Sequence, residues 1–164
     1  MKRWKILAVM AVLGSIVVIG CDKKSSIRTV PEKINGDKHS TTISIKYAPD
    51  KLPAKHRYFV DAPEDGEYCR KIMFSINNPV KSFRYMEIEW VEAGDYKFLE
   101  DRTICQAPDF LPEEPIVIMY QVPSGIMMTR GISFVDKNGA TRYFLIGESG
   151  MDGSLLLIEK SVKK

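Results

Sequence analysis

The chain has 164 residues, of which 45% are hydrophobic and 27% are charged, a composition typical of one globular domain and unlike that of disordered or collagen-like chains. Its formal net charge of +3 arises near the start, where Lys2, Arg3 and Lys5 stand without an acidic residue in 1–20. Without those three, 24 − 3 = 21 basic residues balance 21 acidic residues, so the chain lacks the excess of positive charge expected of a nucleic-acid-binding protein.

An apolar segment of the signal-peptide type follows these basic residues. It covers Ile6–Ile19, which is shorter than the roughly 20 residues that cross a bilayer, and its basic flank is typical of an export signal. The segment ends in Val18-Ile19-Gly20-Cys21. This ending resembles the lipobox of bacterial lipoproteins, in which the cysteine becomes the lipidated first residue. The resemblance implies removal of residues 1–20 and an anchor of several acyl chains on Cys21.

The residues after Cys21 bear on localisation and on domain boundaries. In lipoprotein sorting signals of this kind an aspartate at the next position, here Asp22, favours the inner membrane, and a following lysine, here Lys23, weakens that preference. The resemblance therefore implies an envelope protein facing the periplasm, with the inner or outer membrane left open. Residues 21–40 contain many polar residues and few apolar ones, which predicts a flexible tether before a folded domain at 41–164.

Residues 41–164 have the pattern of β-strands almost throughout. Apolar and polar side chains alternate over Thr41–Tyr47, Arg70–Asn77 and Phe83–Glu92, and Ile116–Val122 is a β-branched segment between prolines. Asn138-Gly139, between two further strand-like segments, predicts a hairpin with a type I′ turn and positive φ at both positions. We therefore predict an all-β protein: a single β-sandwich or barrel-like domain of about eight or nine short antiparallel strands.

Two cysteines remain once Cys21 is assigned to a lipid. In an exported chain Cys69 and Cys105 most simply form a disulfide, which would stabilise the domain by roughly 3–4 kcal/mol. The alternative is a redox or metal site, which the absence of a C-x-x-C motif and of a nearby histidine disfavours. We expect the Cys69–Cys105 disulfide.

The sequence contains no recognisable catalytic arrangement. His39 lies in the tether and His56 lies between two basic residues of a loop, where a solvated surface role is expected for both. Gly147-Glu148-Ser149-Gly150 departs from the nucleophile-elbow pattern, and no metal-binding or phosphate-binding motif is present. We expect a protein that is not an enzyme and that needs neither metal nor cofactor.

Two loops are candidate partner-binding surfaces. The first is the acidic segment after Val60, where metal binding or paired-carboxylate catalysis is conceivable but a solvated turn is favoured. The second is the proline-stiffened Gln106–Pro115, whose apolar residues have charged flanks and which would lose little entropy on docking. For this second loop, folding back onto the core is an equally good interpretation. The candidate residues are Asp61, Glu64, Asp65 and Glu67 in the first loop and Phe110, Leu111, Glu113 and Glu114 in the second.

The whole arrangement resembles the small periplasmic immunity lipoproteins of type VI secretion systems. The matching features are the lipobox, the short tether, the strand that begins at Cys69, an aromatic strand, the second cysteine Cys105 and the Phe134–Gly139 hairpin. The resemblance implies a β-rich inhibitor without catalytic residues. It would bind a toxin delivered to the periplasm, a phospholipase or lipase or a peptidoglycan hydrolase, and protect its producer. The alternative is a structural envelope lipoprotein of a secretion or pilus apparatus.

Overall fold

Alternating apolar residues build nine β-strands within the residues that the structure, a computed structural model, describes: 40–62, 69–92, 95–121 and 129–161. The strands are β1 (Ile43–Tyr47), β2 (Arg57–Val60), β3 (Cys69–Ile76), β4 (Val80–Trp90), β5 (Tyr96–Phe110), β6 (Ile116–Gln121), β7 (Arg130–Val135), β8 (Thr141–Glu148) and β9 (Leu155–Lys160). In these ranges there is no helix with the length and apolar character needed to cross a bilayer.

The strands form two sheets that pack against each other. Sheet A has the order β1-β3-β6-β2, and sheet B has the order β5-β4-β7-β8-β9. The predicted all-β, sandwich-like domain is confirmed. One pairing departs from the predicted antiparallel arrangement, because β2 and β6 run parallel. Since β1 and β2 lie at opposite edges of sheet A, residues 48–56 must cross that sheet to connect them.

The core lies between the two sheets and is rich in aromatic rings. The Phe83 ring of β4 has its centroid 5.7 Å from that of Phe74 on β3 and 5.3 Å from that of Phe110 on β5, both in edge-to-face geometry. Other fully buried side chains in this core are Ile72, Tyr85, Ile116, Ile118, Ile132 and Phe134. The alternation visible in the sequence therefore defines the inner faces of both sheets.

The first half of the segment predicted as the second partner-binding loop is strand. β5 continues to Phe110, which is buried in the core, so its predicted role as an exposed anchor is wrong. Ser82, with φ of +53°, lies opposite Pro108, and Val80 and Phe83 both face inward, which strict alternation would not allow. This irregularity turns Phe110 toward the core. The proline is tolerated because β5 is an edge strand and needs no hydrogen bond on its outer side.

Part of the β4–β5 strand pair crosses the outer face of sheet B. After a register shift, Ile88–Trp90 pairs with Tyr96–Phe98, and we call these two segments the hairpin arm. The ring centroid of Phe98 lies 5.0 Å from that of Tyr143 on β8, although β4 and β7 separate β5 from β8 in the sheet order. The hairpin arm therefore lies over the sheet instead of continuing its edge.

The hairpin predicted at Asn138-Gly139 is confirmed, but its turn type is different. Gly139 has φ of +80°, and Asn138 is not in the left-handed region that a type I′ turn requires. The Asp136 N–H donates to the Ala140 carbonyl at 2.9 Å, and Asp136 Oδ1 accepts from the N–H groups of Asn138 and Ala140 at 2.9 and 3.0 Å. The aspartate side chain thus stabilises a longer turn that needs only one left-handed residue.

Cys69 and Cys105 are not joined to each other, so the predicted disulfide is wrong. Cys105 belongs to the core between the sheets. Cys69 is the first residue of β3, where alternation places it on the outer side with Lys71, while Ile72 faces the core. The two thiols therefore belong to opposite sides of sheet A, and the geometry of a disulfide cannot be met without turning the start of β3.

The two ends of the sandwich differ in what they contain. The entry end holds Ser40–Thr42, where the described chain starts, and Asn77 fixes it: its Oδ1 accepts from the Thr42 N–H at 2.7 Å and its Nδ2 donates to the Ser40 carbonyl at 3.1 Å. At the opposite end, which we call the far end, β1, β2, β6 and β8 finish and β3, β7 and β9 begin, while β4 and β5 continue past it into the hairpin arm. A surface at the far end is therefore built from several connections at once, as at the loop end of other sandwiches.

Candidate functional site

A buried ion pair connects the two sheets at the far end. Asp61, directly after β2, accepts two hydrogen bonds from Arg130 at the start of β7, Nε to Oδ2 at 2.7 Å and Nη2 to Oδ1 at 3.2 Å. The Tyr85 hydroxyl on β4 donates to the same Oδ2 at 2.8 Å. The Asp61 side chain is 7% exposed and that of Arg130 is 23% exposed. Because both carboxylate oxygens have partners, Asp61 fixes the relative positions of β2, β4 and β7.

Burial controls the titration of the groups around Asp61. Burial, reinforced by the Asp61 carboxylate, raises the pKa of Tyr85 well above its ordinary value. The same two causes raise the pKa of the Cys105 thiol to about 12. Both groups are therefore neutral at physiological pH. A thiol held neutral in this way is a poor nucleophile and a poor metal ligand, and Cys105 contributes to the packing of the core.

Polar side chains continue along the far end on the side of sheet A. The Arg70 guanidinium lies 5.3 Å from the centre of the Tyr47 ring, a cation–π contact. Burial raises the pKa of Tyr120 to about 12, and the nearby Tyr47 and Glu148 add to the effect. Burial, with a contribution from Glu148, also raises the pKa of Tyr47. The inner lining of the sandwich thus changes from apolar in the core to polar and mixed in charge at the far end.

An open depression of about 580 Å³ adjoins this polar lining at the edge of sheet A. It is lined by 47–50, by 69–71 and by Met119. Arg70 and Lys71 bring positive charge and Asp50 brings negative charge, and the Lys71 ammonium lies 5.7 Å from the Tyr58 ring. The volume suits a small ligand or a side chain of a partner. Asp50, Arg70 and Lys71 are exposed, so the depression offers charged groups of both signs to a ligand or partner.

The described residues hold no group of three His, Cys, Asp or Glu side chains arranged for a metal ion. His56 lies at the entry end, just before β2, where its Nδ1 donates to the Pro53 carbonyl at 2.9 Å. This local contact orders the connection that crosses sheet A. His39 lies outside the described residues.

The structure separates the residues that the sequence predicted as partner-binding. Asp61 is at the far end, but it is buried in an ion pair and does not stand on an exposed acidic loop. Leu111, Glu113 and Glu114 lie in the turn between β5 and β6 at the entry end, where Glu114 binds Arg57 at 2.8 Å. Cys21, Glu64, Asp65 and Glu67 lie outside the described residues. Among the described candidates, Asp61 and Glu114 therefore lie at opposite ends of the sandwich.

An exposed apolar pair at the end of the hairpin arm was not among the predicted sites. Trp90 is 50% exposed and Val91 is 46% exposed. The alternation of Met86, Ile88 and Trp90 predicted one half-buried face, and the first two are indeed buried. The signal that could have revealed the surface is the break in alternation at Trp90-Val91, two apolar residues in succession next to Glu92.

No protein-family model matches the chain, and neither the curated proteins nor the solved structures provide a match.

Proposed function

We propose that this chain is a lipid-anchored immunity protein of the cell envelope, which binds a toxin acting in the periplasm and neutralises it. The toxin would be an effector of a type VI secretion system, a phospholipase or lipase or a peptidoglycan hydrolase. Two features of the sequence support the proposal: the export signal that ends at the lipobox-like Val18–Cys21, and the similarity of the whole arrangement to immunity lipoproteins.

The observation that carries the proposal is that the two ends of the sandwich differ: the described chain enters at one end, and the polar lining and the depression lie at the other. The predicted tether joins the described domain at Ser40, at the entry end, so the chain's attachment does not cover the far end. The far end contains the polar lining around Arg70 and Tyr47, the adjoining depression and the ends of most strands. Asp61 and Arg130 fix β2 and β7 to each other at this end, and a surface that is already ordered loses less entropy when a partner binds.

The anchor is tested by comparing the wild-type chain with the variant Cys21→Ser in the bacterium that makes it. We expect the wild-type protein in the membrane fraction with the mass of an acylated mature chain starting at Cys21. The variant should leave that fraction after export, because without acyl chains nothing holds the domain at the bilayer. An unprocessed, unmodified wild-type chain in the cytoplasm would contradict the proposal.

Neutralisation is tested by co-expression with candidate toxins encoded next to this gene. Each toxin is directed to the periplasm of cells that make the full-length protein, a version confined to the cytoplasm, or neither. We expect killing in the last two cases and survival in the first, because toxin and binding protein must meet in the same compartment. Continued killing despite good expression of the exported protein would overturn the proposal. A partner that is instead a component of an assembled secretion or pilus apparatus would favour the structural alternative.

A further inference from the structure

The end of the hairpin arm presents an apolar centre surrounded by carboxylates. Trp90 and Val91 are among the large hydrophobic side chains that remain most exposed in the described residues. Glu89 precedes them, Glu92 follows, and Asp95 lies across the turn, where the Val91 N–H donates to the Asp95 carbonyl at 2.9 Å. All three acidic residues are exposed, and the exposed Lys97 is paired in register with Glu89, so the rim keeps a net negative charge. An apolar centre with a charged rim is the arrangement found at protein interfaces.

The hairpin arm is fixed to the body of the domain, so its end is presented in a defined position. Phe98 rests on Gly131 and on the Tyr143 ring, and the ammonium of Lys160 lies 5.9 Å from the Tyr96 ring. By strand register Trp90 lies on the same side of the hairpin arm as Phe98 and Tyr96, and because it stands at the end of the arm it remains 50% exposed. A rigidly mounted tryptophan loses little conformational entropy on binding and is the residue type most often found at the energetic centre of interfaces.

We infer that the Trp90–Val91 end of the hairpin arm is a protein-docking surface whose partner offers an apolar recess rimmed by lysine and arginine. The inference rests on the proposed function in so far as the partner is the toxin. The acidic rim selects this occupant. An anionic membrane surface would be repelled by Glu89, Glu92 and Asp95. A second copy of the same hairpin arm would bring like charges together.

The inference is tested in the bacterium that makes the full-length, anchored chain, with a photo-crosslinking amino acid at position 91 and, in a control, at position 151. Met151 is 98% exposed and lies in the β8–β9 connection, away from the hairpin arm in the chain, so it is at least as accessible as Val91. We expect a discrete protein adduct from position 91 and none from position 151. The adduct should fall at least tenfold with Trp90→Ala and with Glu89→Lys/Glu92→Lys. It should persist with Glu113→Lys, a charge reversal at the entry end.

Three results would overturn the inference: no adduct from position 91 beyond the control, an adduct to lipid or to a second copy of this chain, or an adduct that survives the charge reversal of Glu89 and Glu92. The proposed function fails separately. If Trp90→Ala/Val91→Ser protects cells from the toxin as well as the wild type does, the docking surface is wrong and the immunity function stands. If the charge-dependent adduct forms with a protein that is no toxin, and the wild type protects against none, the surface stands and the immunity function is wrong.

Discussion

Phe98 lies directly against Gly131, and this contact is where the hairpin arm meets sheet B. A Cβ placed on Gly131 would be 2.6 Å from Phe98 Cε1, 2.9 Å from Ile88 Cγ2 and 2.9 Å from the Phe144 carbonyl oxygen. The first two atoms belong to the hairpin arm and the third to the backbone of β8. A side chain at Gly131 would therefore have to lift the hairpin arm or displace a strand.

The variant Gly131→Ala is expected to lower the free energy of unfolding by about 1–3 kcal/mol, the usual cost of adding atoms to a packed interior. Urea unfolding of the purified chain measures it. Gly150→Ala is the control, because a Cβ there meets no atom within 4 Å, and its effect should stay within about 0.5 kcal/mol. Equal effects of the two variants would contradict the contact. Combining Gly131→Ala with Phe98→Ala should cost less than the sum of the single changes, since the closest of the three contacts is then removed.

The Asp61–Arg130 ion pair gives the second prediction. Asp61→Asn leaves a largely buried guanidinium without its counter-charge and should destabilise the domain by about 3 kcal/mol, the low end for broken buried pairs because Arg130 keeps some access to water. Thermal or urea unfolding measures the loss. As a control, Arg102→Gln removes the 3.4 Å pair between the exposed Arg102 and Glu87, and it should cost less than about 1 kcal/mol. If the double variant Asp61→Asn/Arg130→Met recovers none of the stability lost in Asp61→Asn, the ion pair does not contribute to stability as proposed.

The strands were predictable because the alternation of apolar and polar residues that indicates a strand involves only neighbouring positions in the sequence. Alternation over a few residues predicted β3 and β4, and Asn138-Gly139 predicted the hairpin between β7 and β8. Even there, the turn type depended on Asp136. Its carboxylate accepts hydrogen bonds from two backbone N–H groups, and the turn they stabilise needs one left-handed residue instead of two. Local patterns therefore gave the fold class correctly and the fine geometry of the turn incorrectly.

The candidate surfaces were not predictable because they depend on contacts between distant residues. From the sequence alone, Asp61 belongs to an acidic segment, because nothing nearby indicates that Arg130, 69 positions later, lies beside it. Phe110 reads as exposed in a proline-rich segment because nothing local indicates that Ser82 adopts a left-handed conformation opposite Pro108. The fold of the hairpin arm over Gly131 is of the same kind, since it arises from a register shift that no periodicity signals.

The pair Tyr143 and Glu100 gives a pH-dependent prediction. The Tyr143 hydroxyl donates to Glu100 Oε1 at 2.6 Å, and this hydrogen bond holds the pKa of Glu100 below its ordinary value of 4.5. The same bond raises the pKa of Tyr143 above its ordinary value of 10.0. Because folding lowers the pKa of Glu100, its ionised carboxylate stabilises the fold above pH 4.5. This stabilisation is lost as the pH falls through the pKa of Glu100 in the folded state. The raised phenol pKa stabilises the fold below 10.0 and ceases to do so as pH rises through the folded-state value.

The variant Tyr143→Phe should therefore be less stable than the wild type between pH 4.5 and pH 10.0, and the difference in stability should shrink at lower and at higher pH. Unfolding by urea over a range of pH measures this difference. Tyr96→Phe is the matched control, because it keeps the ring beside Lys160 and removes no bond to a carboxylate. A difference between Tyr143→Phe and the wild type that is constant across the range would contradict the coupling.

The last prediction concerns Cys105, whose burial and proximity to Asp61 raise the thiol pKa from 9.0 to about 12. Three pKa units correspond to about 1,000-fold less thiolate at pH 8, so alkylation of the native chain should be slower by at least about that factor than at an exposed thiol. A Cys69→Ser variant isolates Cys105, and Met151→Cys in a chain lacking both cysteines supplies the exposed reference. After unfolding without reductant, the wild type should become alkylated at Cys69 and Cys105 alike, because the structure does not join them. Rapid native labelling of Cys105, or a peptide linking it to Cys69 before reduction, would contradict its place in the core.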